Sequence, residues 1–315
     1  MLPTHVHAST ELLAESAVRC AWAQWSAIGA LTLPVSKEGN EIIDVEALLL
    51  GSLGLATRVP RLRTLATDWT LENSQLLSIA RLRALLAGPF AGSGVQIGEL
   101  AQLIATEGGD ARWRALAAHS AADDARSDQT RGTKRKAVLP RWRGARTLLL
   151  KLRRGFGVGV KPDLLAILLG SRGGWVDAAT LAELSGYTVA AVRRAADDMA
   201  NADLIELSDR HRRTYRANVM AWTSLFPALE ASRWVRRADG FAFALRWMRC
   251  INERNSRAPS ELDLALKFAA EIDMFPGLKQ DAGIARELVS EGNASAWASR
   301  QDAIASLVRW FDASE

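Results

Sequence analysis

Residues 177–218 read DAATLAELSGYTVAAVRRAADDMANADLIELSDRHRRTYRAN, and this pattern decides the fold of the middle of the chain. Asp177 suits a helix cap, because its carboxylate can accept the free amide hydrogens of a first turn. Residues 178–184 are good helix-formers, with Leu181 and Leu184 on one face and small Ala182 beside them. Gly186 ends that helix, since glycine takes positive φ without steric cost and lets the chain turn sharply. Thr188 caps a second helix running to about Ala202, whose buried stripe is Val189, Val192, Ala195, Ala196 and Met199. The run 204–208 (LIELS) alternates as a half-buried strand does, 209–213 forms a polar tip, and 214–218 (TYRAN) returns as the partner strand.

Working outward, residues 162–169 (PDLLAILL) make a preceding helix with proline in its favoured first turn, and Trp175-Val176 a short first strand. Ala182 is small where two helices must cross, Gly186 turns, and Val192 packs back on the first helix. The whole unit, about Lys161 to Asn218, resembles the winged-helix domain of bacterial transcription regulators of the MarR-like and ArsR-like kind. The resemblance implies duplex DNA as partner, with the second helix in a groove and the hairpin beside it. Tyr187, Thr188, Ala190, Arg193, Arg194 and Asp197 match the groove-facing side, and Arg210, His211, Arg212 and Arg213 match the wing. Arginine can bond guanine through two hydrogen bonds or neutralise phosphate. The competing reading of the same residues is local: Arg193 and Arg194 pairing with Asp197 and Asp198 at i, i+4.

Charge adds a second argument. The chain carries +5, but residues 126–161 hold twelve Lys or Arg and one acid, Asp128. That strip is therefore +11 and the remainder −6, which points to a localised polyanion site rather than a generally basic surface. Within it, Lys134, Arg135 and Lys136, followed by Arg141 and Arg143 around Trp142, suit phosphate contact with an interleaved ring. The alternative is a solvated linker with Trp142 packed on a neighbouring domain.

The rest reads as helix, so the fold class is mainly α. A helical N-terminal domain (1–120) precedes a basic linker and helix (121–160), a central winged helix with a small β-hairpin (161–218), and a helical C-terminal domain (219–315). Expected N-terminal helices include 11–28, the almost wholly apolar VEALLLGSLGLA behind Asp44, one from Pro60, and 75–86. In 145–154, Leu148, Leu149 and Leu152 point inward and the bases outward. After 218, helices are expected at 219–226, 230–252 (with Trp234 near its start), 260–272, 280–291 and 295–311.

No catalytic motif is present. GFGVGV (155–160) has no preceding strand and no following Lys-Ser or Lys-Thr, so it is no phosphate loop. The four histidines do not cluster, and Cys20 and Cys250 have no metal spacing. No enzyme activity, cofactor or metal is expected. No apolar run approaches the ~18 residues of a membrane span, and residues 1–16 lack the pattern of a secretory leader, so a cytoplasmic protein is expected. The expected function is a DNA-binding transcription regulator acting as a repressor on double-stranded DNA; the sequence does not fix the oligomer, and a toxin-like protein or a second copy of the chain (homodimer) are the open choices for a further partner. Two alternatives stand beside it. The run 148–169 is loosely similar to antitoxin-like regulators paired with nucleotidyltransferase-type toxins, which implies a protein partner. The other is an enzyme without a recognisable motif.

Overall fold

The computed structural model of the chain describes residues 4–31, 39–117, 142, 144–209, 212–227, 229–252, 260–284 and 296–313. Helix dominates these residues, as the periodicity predicts. The first part holds α1 (Thr4–Ala27), the short β1 (Glu41–Ile42), α2 (Val45–Leu55), α3 (Pro60–Asn73), α4 (Ile79–Ala87), α5 (Gly94–Thr106) and α6 (Arg114–Ala117). The middle holds α7 (Leu148–Phe156), α8 (Val160–Gly170), β2 (Val176–Asp177), α9 (Ala178–Ser185), α10 (Val189–Asn201), β3 (Glu206–Ser208) and β4 (Thr214–Arg216). The last part holds α11 (Val219–Thr223), β5 (Arg233–Trp234), α12 (Arg237–Asn252), α13 (Glu261–Asp273), α14 (Pro276–Asp281) and α15 (Ala296–Asp312).

Both ends of the chain build one apolar core. Leu13 and Trp25 of α1, Leu48 of α2, Phe241 and Trp247 of α12, Phe268 of α13 and Leu307 of α15 are all buried in it. The regions expected at 1–120 and 219–315 therefore share their interior. α2 is buried on nearly every side because α1, α3, α4, α5 and α12 all pack around it, α12 most closely. Gly51 and Gly54 allow that approach: a Cβ there would stand 2.7 Å from Phe241 Cγ and 2.4 Å from Leu245 Cδ1. Two buried indoles are matched across the same core, Trp25 Nε1 donating to Ser52 Oγ at 2.8 Å and Trp247 Nε1 to Thr10 Oγ1 at 3.1 Å.

Element edges differ from the periodic reading where local hydrogen bonds decide them. The helix expected over 75–86 starts at Ile79, because Ser78 Oγ accepts from Arg81 N while 74–76 form a 3₁₀ turn. Trp234, expected inside a helix, lies instead in β5, which pairs in parallel with β1 (Ile42↔Trp234). Ser260 caps α13 through a reciprocal capping box with Asp263. Of the helix expected at 280–291, the described residues show Pro276–Asp281, with proline in its first turn.

A second core lies between α7, α8, α9, α10 and a three-stranded sheet. Leu152, Leu164, Leu168, Leu181, Val192, Met199 and Tyr215 are among its buried members. The sheet order is β2-β4-β3, antiparallel throughout, with Val176↔Tyr215 and Leu207↔Tyr215 in register.

The two cores meet at Arg153. The sequence reading turns the bases of 145–154 outward, but Arg153 is 1% exposed. It follows Leu149 by four residues, so the helical period puts it on the apolar face. Its Nε and Nη2 donate to Asp163 of α8 at 2.7 and 3.0 Å. Its Nη1 donates to Glu46 of α2 at 2.6 Å and to the Leu76 carbonyl at 2.9 Å. Beside it, buried Arg81 of α4 bonds Asp44 and donates to the Leu184 carbonyl of α9 at 2.7 Å. Burial pushes the Glu46 carboxyl up against the pull of Arg153. Burial opposes the charge on Arg153 too, and Asp163 and Glu46 outweigh it. Replacing Arg153 by Met leaves two buried carboxyls without their cation, so urea unfolding should show a loss of about 3–5 kcal/mol. A loss below about 1 kcal/mol would show that the cluster is dispensable.

Candidate nucleic-acid interface

The surface centred on α10 is assembled from local signals that the sequence carries. Asp177 Oδ1 accepts from Thr180 N at 2.8 Å and starts α9. That bond, with help from Arg212, holds the Asp177 carboxyl below the usual range. Gly186 ends α9 in the left-handed region, at φ 75°, with its amide bonded to the Ala182 carbonyl at 2.8 Å. Glycine is required twice there, because a Cβ would also stand 2.8 Å from Ala84 Cβ of α4. Thr188 Oγ1 then accepts from Ala191 N at 3.2 Å and starts α10.

Val192, Ala195, Ala196 and Met199 form the buried side of α10, while Val189, assigned to that stripe by its period, is 36% exposed. Thr188, Ala190, Arg193 and Arg194 are exposed. Neither Arg193 nor Arg194 forms an ion pair among the described residues. The i, i+4 pairing with Asp197 and Asp198 does not form, since both acids are engaged elsewhere. Asp197 Oδ1 accepts from Tyr215 Oη at 2.8 Å and pairs with Arg213 at 3.0 Å, and Asp198 pairs with Lys161 at 3.0 Å. Burial and the adjacent Asp197 push the Tyr215 phenol up to about 12.

Tyr187 stands apart from its expected role. Its hydroxyl donates to Asp163 Oδ2 at 3.0 Å and lies 3.0 Å from Ser78 Oγ. The side chain is half-buried, and burial together with Asp163 raises its pKa. One residue past the Gly186 turn, it points back toward α8 and α4 rather than out with Thr188. Sequence reasoning missed this clamp of Ser78, Arg81 and Tyr187, since Tyr187 stands 109 residues from Ser78.

In the hairpin, Arg212 is largely exposed yet reaches Asp177 at 3.2 Å, and Arg213 is held between Asp197 and Asp209. Arg216 pairs across the strands with Glu206, its Nε at 3.0 Å, and sits 4.5 Å from the Trp175 ring centroid. Exposed pairs of this kind contribute roughly 0–1 kcal/mol, so a stronger anion can displace Asp177 from Arg212. Arg210 and His211 lie outside the described residues.

The basic strip is only partly on this surface. Lys134, Arg135, Lys136, Arg141 and Arg143 lie outside the described residues. Trp142 is packed against the helical body, its Nε1 donating to the Ile28 carbonyl at 3.0 Å, with Arg154 4.6 Å from its ring. Arg146 is buried, Arg153 is enclosed by carboxyls, Lys151 donates to the Gly144 carbonyl at 3.1 Å, and Lys161 is paired. Part of the +11 read as polyanion-binding charge therefore works inside the fold.

No family model, curated protein or solved structure matches the chain. Among the described residues, no helix is long and apolar enough to cross a membrane, and no group of three His, Cys, Asp or Glu could hold a metal ion.

A charged joint fixes the other side of α9. Glu183 of α9 bonds Arg236, which also lies 3.8 Å from Asp239 of α12. Burial raises the Asp239 carboxyl from 3.8 to about 6; Arg236 pulls it down, and Glu183 and Asp281 push it up again. The folded chain thus holds this proton more tightly than the unfolded chain. This contribution is fully present below 3.8 and is lost as pH rises through about 6. Asp239→Asn should flatten a decline of about 2–3 kcal/mol over that window and stabilise the protein at pH 7. An unchanged stability profile between pH 4 and pH 7 would contradict this.

Proposed function

We propose that residues 161–218 are a winged helix and that the chain is a sequence-specific, DNA-binding transcription regulator acting as a repressor in the cytoplasm. One observation carries the reading: Arg193 and Arg194 stand exposed on the outward face of α10, and the acids four residues on are occupied by Tyr215, Arg213 and Lys161. An exposed helix with two available guanidiniums, a hairpin at its side and a glycine-turned partner helix behind it suits the major groove. Thr188 and Ala190, small and exposed at the start of α10, leave room for base edges and thymine methyls. Arg212 would then meet phosphate beside the groove.

A protein-docking role is the second reading, favoured by apolar side chains exposed along the hairpin and the turn after it. Leu204 and Leu207 are over a third exposed, and Met220 and Leu225 about two thirds. A partner such as a toxin, or a second copy of the chain, would cover them.

The test is a duplex selected from a randomised pool with the full chain. Arg193→Ala and Arg194→Ala should each weaken its binding by about 1–3 kcal/mol, roughly 5- to 150-fold. Melting temperature should hardly move, because neither side chain has a partner to lose. Wild-type affinity in both variants, or failure to enrich any duplex, would overturn the DNA reading in favour of docking.

A further inference from the structure

The corner between α9 and α10 does not stand free of the helical body. Gly186 faces Ala84 at a distance that leaves no room for a Cβ, Arg81 holds the Leu184 carbonyl, and Ser78 meets the Tyr187 hydroxyl. All three body residues belong to α4 or its cap, so the start of α10 and α4 form one continuous surface. Ala80, Arg83 and Ala87 are the exposed residues of α4 beside that seam.

Arg83 opens onto a groove of about 540 Å³ that it lines with Leu86, Ala87, Gly92, Gly94 and Val95. No acidic side chain lines it. Arg249 of α12 reaches it at Gly92, where a Cβ would stand 2.8 Å from Nη1. Gly92 also has φ 97°, so this close approach of backbone and guanidinium depends on glycine. Among the described residues, neither Arg83 nor Arg249 forms an ion pair or a hydrogen bond through its side chain. Several other arginines on the body are paired, Arg19 with Asp312, Arg58 with Glu11, Arg63 with Glu99 and Arg246 with Glu271, while exposed Arg61, Arg114, Arg233 and Arg309 form no ion pair among the described residues but do not line this groove. Two unpaired guanidiniums at a groove lined by no acid, with Ala87, Gly92 and Gly94 among its walls, fit a polyanion whose backbone comes close.

We infer that the duplex held by α10 continues across the helical body, where Arg83 and Arg249 bind the phosphate backbone of the flanking DNA. The inference rests on the DNA reading above and adds a second contact region to it. Continuity with the corner favours a duplex, because the groove adjoins the α4 residues that pack on Gly186 and Tyr187. Ala84, at the corner, is about one helical turn (~5 Å) from the groove end of α4. Successive phosphates along one strand advance only ~3.4 Å along the axis. A duplex that runs from α10 along α4 would therefore bring phosphates to Arg83 within a few base pairs, with Arg249 at the far side of the same groove. The rigid corner makes the two regions additive, since no hinge between them has to be ordered on binding.

The experiment compares the selected duplex trimmed to its core with the same core extended by about ten base pairs of unrelated sequence on each side. Affinity of the full chain is measured over a range of salt. The longer duplex should bind more tightly, and its slope of log affinity against log salt should be steeper by about 1.8, from two contacts at about 0.9 each. Arg83→Ala with Arg249→Ala should lose that gain and still bind the core as the wild type does. The paired replacement by Lys should keep it. A length effect that survives in the double Ala variant, or its absence in the wild type with core binding intact, would overturn the inference alone. Wild-type chain that binds neither duplex would overturn the DNA reading itself.

Discussion

The Arg153 guanidinium lies buried where the two apolar cores meet, and carboxyls from both sides hold it: Glu46 from the helical body and Asp163 from α8. A buried charge of this kind is costly unless every donor is matched, and here Nε and both Nη atoms have acceptors. Such a cluster fixes geometry better than it adds net stability, because an apolar replacement could fill the same space but would not specify one orientation. Arg81, Asp44, Ser78 and Tyr187 extend it to the α9–α10 corner. The orientation of α10 relative to the body follows from these bonds.

That fixed orientation shapes what the surface can do. The proposed reading helix is presented by a frame that already includes α4, and the Glu183–Arg236 contact ties α9 to the start of α12 from the other side. The hairpin is tied in as well, because Asp197 of α10 bonds both Tyr215 and Arg213. Arg213 and Lys161, which sequence reading treats as free positive charge, instead occupy the acids that would have quenched Arg193 and Arg194. Their contribution to anion binding is indirect, through the charges they leave available.

The middle of the fold was legible because its determinants are local. Asp177 and Thr188 cap the helices they precede, Gly186 takes the left-handed turn, and Val192 and Met199 are buried on schedule. Period alone misled where a side chain's partner is distant. Arg153 is on the apolar face four residues after Leu149, and its burial needs Glu46, more than a hundred positions away, as well as Asp163. Tyr187 adjoins Thr188 in sequence, but its hydroxyl is satisfied by Ser78 and Asp163. Trp234 looks helical until β1 is placed beside it. The sharing of one core by both chain ends had no local signal either, although the glycines of α2 are the space into which α12 fits.

Amide hydrogen exchange of the full chain, with and without a selected duplex, addresses the DNA reading most directly, because it maps the contact without altering a residue. Slowed exchange on duplex addition is predicted at the start of α10, through Thr188 to Arg194, and at 212–214 in the hairpin. The apolar edge at Leu204 and Leu207 should exchange as before. Protection confined to that edge and to α11, with α10 unchanged, would contradict docking of duplex DNA on this helix.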